Sequence, residues 1–76
     1  LLGGADNDTL SGGTGSDELH GNSADDILYG NEDSDKLFGD AGADTLYGDA
    51  GEDILKGEAG DDTLVGGADN DKIWWS

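Results

Sequence analysis

Residues 39–65 read GDAGADTLY, GDAGEDILK and GEAGDDTLV, three nine-residue units laid end to end. Each opens on Gly (Gly39, Gly48, Gly57), carries Asp at its sixth place (Asp44, Asp53, Asp62) and Leu at its eighth (Leu46, Leu55, Leu64). The same frame extends in both directions without insertion or deletion, giving eight units from residue 3 to residue 74. The sixth-place column is Asp8, Asp17, Asp26, Asp35, Asp44, Asp53, Asp62 and Asp71; the eighth is Leu10, Leu19, Leu28, Leu37, Leu46, Leu55, Leu64 and Ile73. Leu1 and Leu2 fall at the last two places of a preceding unit. The expectation is therefore one repeat segment over 1–76, with a partial repeat at 1–2, cut from a longer array in a larger protein.

Within each unit, places one to six are rich in Gly, Asp, Asn, Ala and Ser, which tolerate turns and positive φ. Places seven to nine alternate outward, inward, outward around the aliphatic residue, the period of a strand. Each unit is thus a turn followed by a short strand. Parallel pairing needs a crossover, and the only one on offer is the next turn, strand and turn, so a coil holds two units, or 18 residues. Odd units stack in one sheet and even units in the other, with the Leu column between them, in about four coils. This predicts an all-β fold, a two-sheet parallel solenoid.

Composition narrows the function classes. The 76 residues contain no Cys, Met or Pro, so no disulfide staples the chain, and the formal charge is −16 from 3 basic and 19 acidic residues. A nucleic-acid partner is excluded by that charge. No apolar run approaches the ~20 residues that span a bilayer, so the segment inserts into no membrane, and the chain starts without a basic, then apolar, leader. One aliphatic residue per nine buries too little apolar surface to offset the entropy of ordering so glycine-rich a chain. The unliganded chain is expected to be mostly unfolded, and the Asp column points to the ligand that folds it.

The frame, which covers 72 of the 76 residues, resembles the repeats-in-toxin (RTX) hemolysin-type calcium-binding nonapeptide Gly-Gly-x-Gly-x-Asp-x-Leu-x, from which it departs at place two outside Gly4, Gly13 and Gly67 and at place four outside Gly15, Gly42, Gly51 and Gly60. The resemblance implies a right-handed parallel β-roll in which Asp side chains and turn carbonyls share Ca²⁺ between stacked loops. It also implies a segment of a secreted bacterial protein, extracellular or on the cell surface, exported by type I secretion. Stacking places Asp of one unit a strand spacing of ~4.8 Å from Asp two units on. The neighbours are Asp8 with Asp26, Asp26 with Asp44 and Asp44 with Asp62 on one edge, and Asp17 with Asp35, Asp35 with Asp53 and Asp53 with Asp71 on the other. Carboxylates so close repel unless a cation lies between them, and oxygen ligands on a flexible turn suit Ca²⁺ better than strictly octahedral Mg²⁺. Up to about six ions are expected between stacked turns, held by the eight Asp with turn carbonyls near Gly12, Gly15, Gly39, Gly42, Gly48, Gly51, Gly57 and Gly60. The pair Asp44 and Asp62, each two residues after a place-four Gly (Gly42 and Gly60), ranks as the best site. Ala24 at place four fits least well, since Ala resists positive φ.

Catalysis is not expected. The carboxylates form a regular column rather than an unequal pair, and Ser16, Asp17 and His20 do not make a triad, because His20 takes an outward place and no Gly-x-Ser-x-Gly elbow exists. The odd sheet presents Thr9, Ser11, Ile27, Tyr29, Thr45, Tyr47, Thr63 and Val65, an uncharged ladder. Cross-strand packing explains it most simply. The alternative is an interaction face, self-associating through Tyr29 and Tyr47 or docking a flanking domain, as in an adhesin or surface-layer segment that Ca²⁺ only rigidifies. All three lysines fall on the even sheet, as edge protection, and Trp74 with Trp75 is expected to cover the last coil or to face the rest of a parent protein.

Overall fold

A computed structural model describes residues 2–69 and 71–74. Eight three-residue strands occupy places seven to nine of the eight units: β1 Thr9–Ser11, β2 Glu18–His20, β3 Ile27–Tyr29, β4 Lys36–Phe38, β5 Thr45–Tyr47, β6 Ile54–Lys56, β7 Thr63–Val65 and β8 Lys72–Trp74. They form two four-stranded parallel sheets, β1-β3-β5-β7 and β2-β4-β6-β8, a β-solenoid of about four turns. Register is in step throughout, Leu28 opposite Leu46 and Leu37 opposite Leu55, so each residue lies against its equivalent 18 positions on. Backbone bonds continue past the strand ends: Thr45 N–H donates to the Asp26 carbonyl at 2.8 Å and Gly30 N–H to the Tyr47 carbonyl at 2.8 Å.

Among the described residues the hydrophobic core is the eighth-place column. Leu19, Leu28, Leu37, Leu46 and Leu55 are 0 % exposed, with Leu10 and Leu64 buried at the two ends. Ile73, read as the last member of that column, is 39 % exposed on β8, the edge strand of its sheet. Leu2 makes an isolated parallel bridge to His20, 18 residues on. Leu1 and Trp75 lie outside the described residues, and with Trp75 half of the expected cap. Among the described residues no helix is long and apolar enough to cross a membrane.

The lysines need a correction. Lys36 and Lys56 stand on β4 and β6, the two central strands of their sheet, and only Lys72 stands on an edge strand. Edge protection cannot be the role of the first two.

Candidate metal centre

Each turn from the second unit onward is shaped by two backbone inversions. Place two has positive φ in every unit, whether Gly4 (φ 101), Asn22 (70), Asp40 (66) or Glu58 (67). Place four has it from Gly15 (86) onward, including Ala24 (76), Asp33 (74) and Asp69 (73). The place-four inversion is legible from the four glycines there; the place-two inversion is hidden by Asn, Asp and Glu, of which Asn and Asp adopt this region with least strain.

The turn delivers the sixth-place Asp into the interior just before its strand. Asp26, Asp35, Asp44 and Asp53 are each 1 % exposed, while Asp8, Asp17, Asp62 and Asp71 are half-buried. All six expected neighbour pairs are brought together, each by the same bond: the Oδ1 of one Asp accepts the backbone N–H of the Asp 18 residues earlier. The distances run from 2.7 Å for Asp26 to Asp8 to 2.8 Å for Asp71 to Asp53. Coil is thereby tied to coil, and one oxygen of each accepting carboxylate, from Asp26 to Asp71, is consumed.

The other oxygen is left over. Oδ2 of Asp8, Asp17, Asp26, Asp35, Asp44, Asp53 and Asp62 is buried without a hydrogen-bond partner, a costly state for an ionised oxygen. These atoms face a defined space above the first-place Gly. A Cβ placed on Gly21 would meet Asp26 Oδ2 at 2.7 Å and the Gly39 carbonyl at 2.9 Å; on Gly39, Asp44 Oδ2 at 2.7 Å and the Gly57 carbonyl at 3.0 Å; on Gly30, Asp35 Oδ2 at 2.9 Å and the Gly48 carbonyl at 2.9 Å. A carboxylate oxygen of one coil and a carbonyl of the next thus converge where a side chain would otherwise sit. This is why Gly opens every unit: none of these first-place residues has positive φ, and the constraint is space.

Of the glycines expected to lend carbonyls, Gly39, Gly48 and Gly57 do point into this space. The Gly42 carbonyl instead abuts Gly60 of the next coil, in a column with those of Ala24 against Gly42 and Asp33 against Gly51. Gly15 and Gly51 contribute their N–H groups, donated at 2.9 Å to Oδ2 of Asp33 and Asp69. Gly12 donates its N–H to the Tyr29 carbonyl at 2.8 Å. A further rung, not foreseen from the sequence, runs through place five: Asn7 Oδ1 accepts the Asp25 N–H at 2.9 Å and Asp25 Oδ1 the Ala43 N–H at 2.8 Å.

Burial pushes the Asp44 and Asp53 carboxyls up to about 6. The N–H bonds involving Asp26 and Asp35 oppose it, and the carboxylates of the coils on either side add to it. Asp35 and Asp62 are raised for the same leading reason. Among the described residues, no group of three or more acidic, His or Cys side chains is disposed to hold a metal ion, so a metal here would need backbone carbonyls for ligands. Buried spare carboxylate oxygens with carbonyls beside them, all hard donors, fit a hard divalent cation.

The family model for the RTX calcium-binding nonapeptide repeat, built of four copies, matches twice, over residues 2–37 and 38–73. The chain belongs to this RTX family. No curated protein matches the chain. RTX repeats are calcium-binding repeats of secreted bacterial proteins, and both the repeat and its solenoid are structural in kind rather than catalytic.

Proposed function

We propose that this RTX segment is a calcium-gated folding module of a larger secreted protein, in which binding the ion and forming the roll are one event. The observation that carries the reading is the buried, unpartnered Oδ2 of the sixth-place Asp beside the carbonyl of the following coil. Asp8, Asp17, Asp26, Asp35, Asp44, Asp53, Asp62 and Asp71 would hold the ions, with first-place carbonyls such as those of Gly39, Gly48 and Gly57 completing the shell. One ion per stacked pair gives up to about six, which would bring the formal charge from −16 to −4. Bound Ca²⁺ supplies the positive charge that lets these carboxylates stay ionised while buried. The chain's own part is to hold the oxygens in register through the Asp-to-Asp backbone bonds and to exclude water with the Leu column.

Extracellular calcium modules bind at about 10⁻⁴–10⁻³ M, so the segment would stay unfolded in a low-calcium cytoplasm and fold outside the cell. The test is far-UV circular dichroism during a Ca²⁺ titration from EGTA, with Mg²⁺ as control. A cooperative gain of β-structure in Ca²⁺ alone supports the reading; no change up to ~10 mM, well above that range, sinks it.

An interaction role for the odd face is the second reading, favoured by exposed Ile27 and Val65 on an uncharged sheet. Tyr29 and Tyr47 stack on each other, centroids 5.1 Å apart. Replacing both with Ser would abolish self-association but leave calcium-induced folding intact.

A further inference from the structure

The outward face of the even sheet concentrates every lysine of an acidic chain. Lys36, Ile54 and Lys72 are in register along one row, and His20, Phe38, Lys56 and Trp74 along the other. Among the described residues none of the three lysines makes an ion pair, although the chain has 19 acidic side chains. Lys36 stands opposite Glu18, whose carboxyl is held below the usual range first by the His20 hydrogen bond and also by the charge of Lys36. Lys56 Nζ lies instead over two aromatic rings, 6.0 Å from the Phe38 centroid and 5.6 Å from that of Trp74. Lys36, Phe38, Ile54, Lys56 and Trp74 line a groove of about 470 Å³, within the ~300–1,000 Å³ of small-molecule sites. Trp74 is 43 % exposed.

Charge complementarity identifies the occupant. Two ammonium groups beside an apolar floor call for an anion, and the Phe38 and Trp74 rings call for an apolar or aromatic body attached to it. A long polyanion would meet the −16 charge of the rest of the molecule, so the partner is small. We propose that this groove binds a small organic anion with an aromatic or other apolar body, the body resting on Phe38, Ile54 and Trp74 and the acid group between Lys36 and Lys56. The site is on the outward face of the strands, away from the Asp columns, and it rests on the proposed calcium-induced folding only in needing the folded roll.

The experiment titrates an anilinonaphthalene sulfonate into the ¹⁵N-labelled chain in Ca²⁺, following amide shifts, beside its uncharged relative phenylnaphthylamine. Expected are saturable shifts at Lys36, Phe38, Ile54, Lys56 and Trp74, binding about tenfold weaker for the uncharged probe and for the Lys36→Gln, Lys56→Gln double variant, and weakening from ~50 to ~500 mM NaCl. Tyr29→Ser with Tyr47→Ser, on the other sheet, should leave binding unchanged. Shifts spread over both sheets, equal affinity for the two probes, or no effect of losing the lysines would overturn the proposal. So would a spectrum that stays unfolded in Ca²⁺, since the groove would then not exist.

Discussion

Asp44 accepts the backbone N–H of Asp26 through Oδ1 at 2.7 Å, while its Oδ2 is buried with no partner. One carboxylate therefore has two separable duties, tying coil to coil and offering an oxygen to a cation. Asp44→Asn keeps an acceptor for the Asp26 N–H and loses the charge. The metal-free chain should become more stable by about 1–3 kcal/mol, the cost of an unsatisfied buried group, while the calcium midpoint rises about tenfold. Circular dichroism with and without EGTA reads both; a lower calcium midpoint would contradict the assignment of Oδ2.

The raised Asp44 and Asp53 carboxyls fix the sign of a pH effect. A carboxyl whose pKa rises on folding favours the folded state in acid: that stability is complete below about 3.8 and is lost as pH climbs through about 6. In EGTA, β-structure should grow as pH falls from neutrality toward 4. With Ca²⁺ the order reverses, since protons compete for the same oxygens, and the calcium midpoint should rise once pH drops below about 6. A metal-free chain that loses β-structure on acidification would show that the buried carboxyls do not govern its folding.

Glycine substitutions should split by place. Gly48→Ala sets a Cβ 2.7 Å from Asp53 Oδ2 and 2.8 Å from the Gly66 carbonyl, and should destabilise the calcium-bound roll by about 1–3 kcal/mol. Glu58→Gly, at φ 67, relieves a left-handed conformation and should stabilise it by up to about 1 kcal/mol. Urea unfolding in saturating Ca²⁺ separates the two signs; equal losses at both places would mean the two columns are not distinct.

The single-column core makes truncation position-dependent. Leu46→Ala, at a side chain 0 % exposed, should cost about 2–5 kcal/mol and stop folding at calcium levels that fold the parent chain. Ile73→Ala, 39 % exposed, should cost under about 1 kcal/mol. Thermal melts in saturating Ca²⁺ check the contrast.

Much of the fold can be read before any coordinates, because the signals are local. The alternation at Thr45, Leu46 and Tyr47 sets a strand with one inward residue, the Gly- and Asp-rich stretch between strands sets a turn, and the unbroken period sets pairing at an interval of 18. The Asp column as the candidate site follows from the same register. Ile73 was misread as core because its strand, β8, lies at the edge of its sheet. The inversion at place two escaped because Asn22, Asp40 and Glu58 carry no glycine there.

What the sequence alone determined is the period, and with it the solenoid, the Leu core and the Asp columns, since a repeat that pairs in step puts like residues beside like. Only the tertiary structure decided which Asp oxygen remains free and that the first-place Gly is needed for space. It also showed that Lys36 and Lys56 flank a groove on central strands. Each involves contacts between residues about 18 apart, such as Gly48 against the Gly66 carbonyl, and these arise only when one coil is seated on the next.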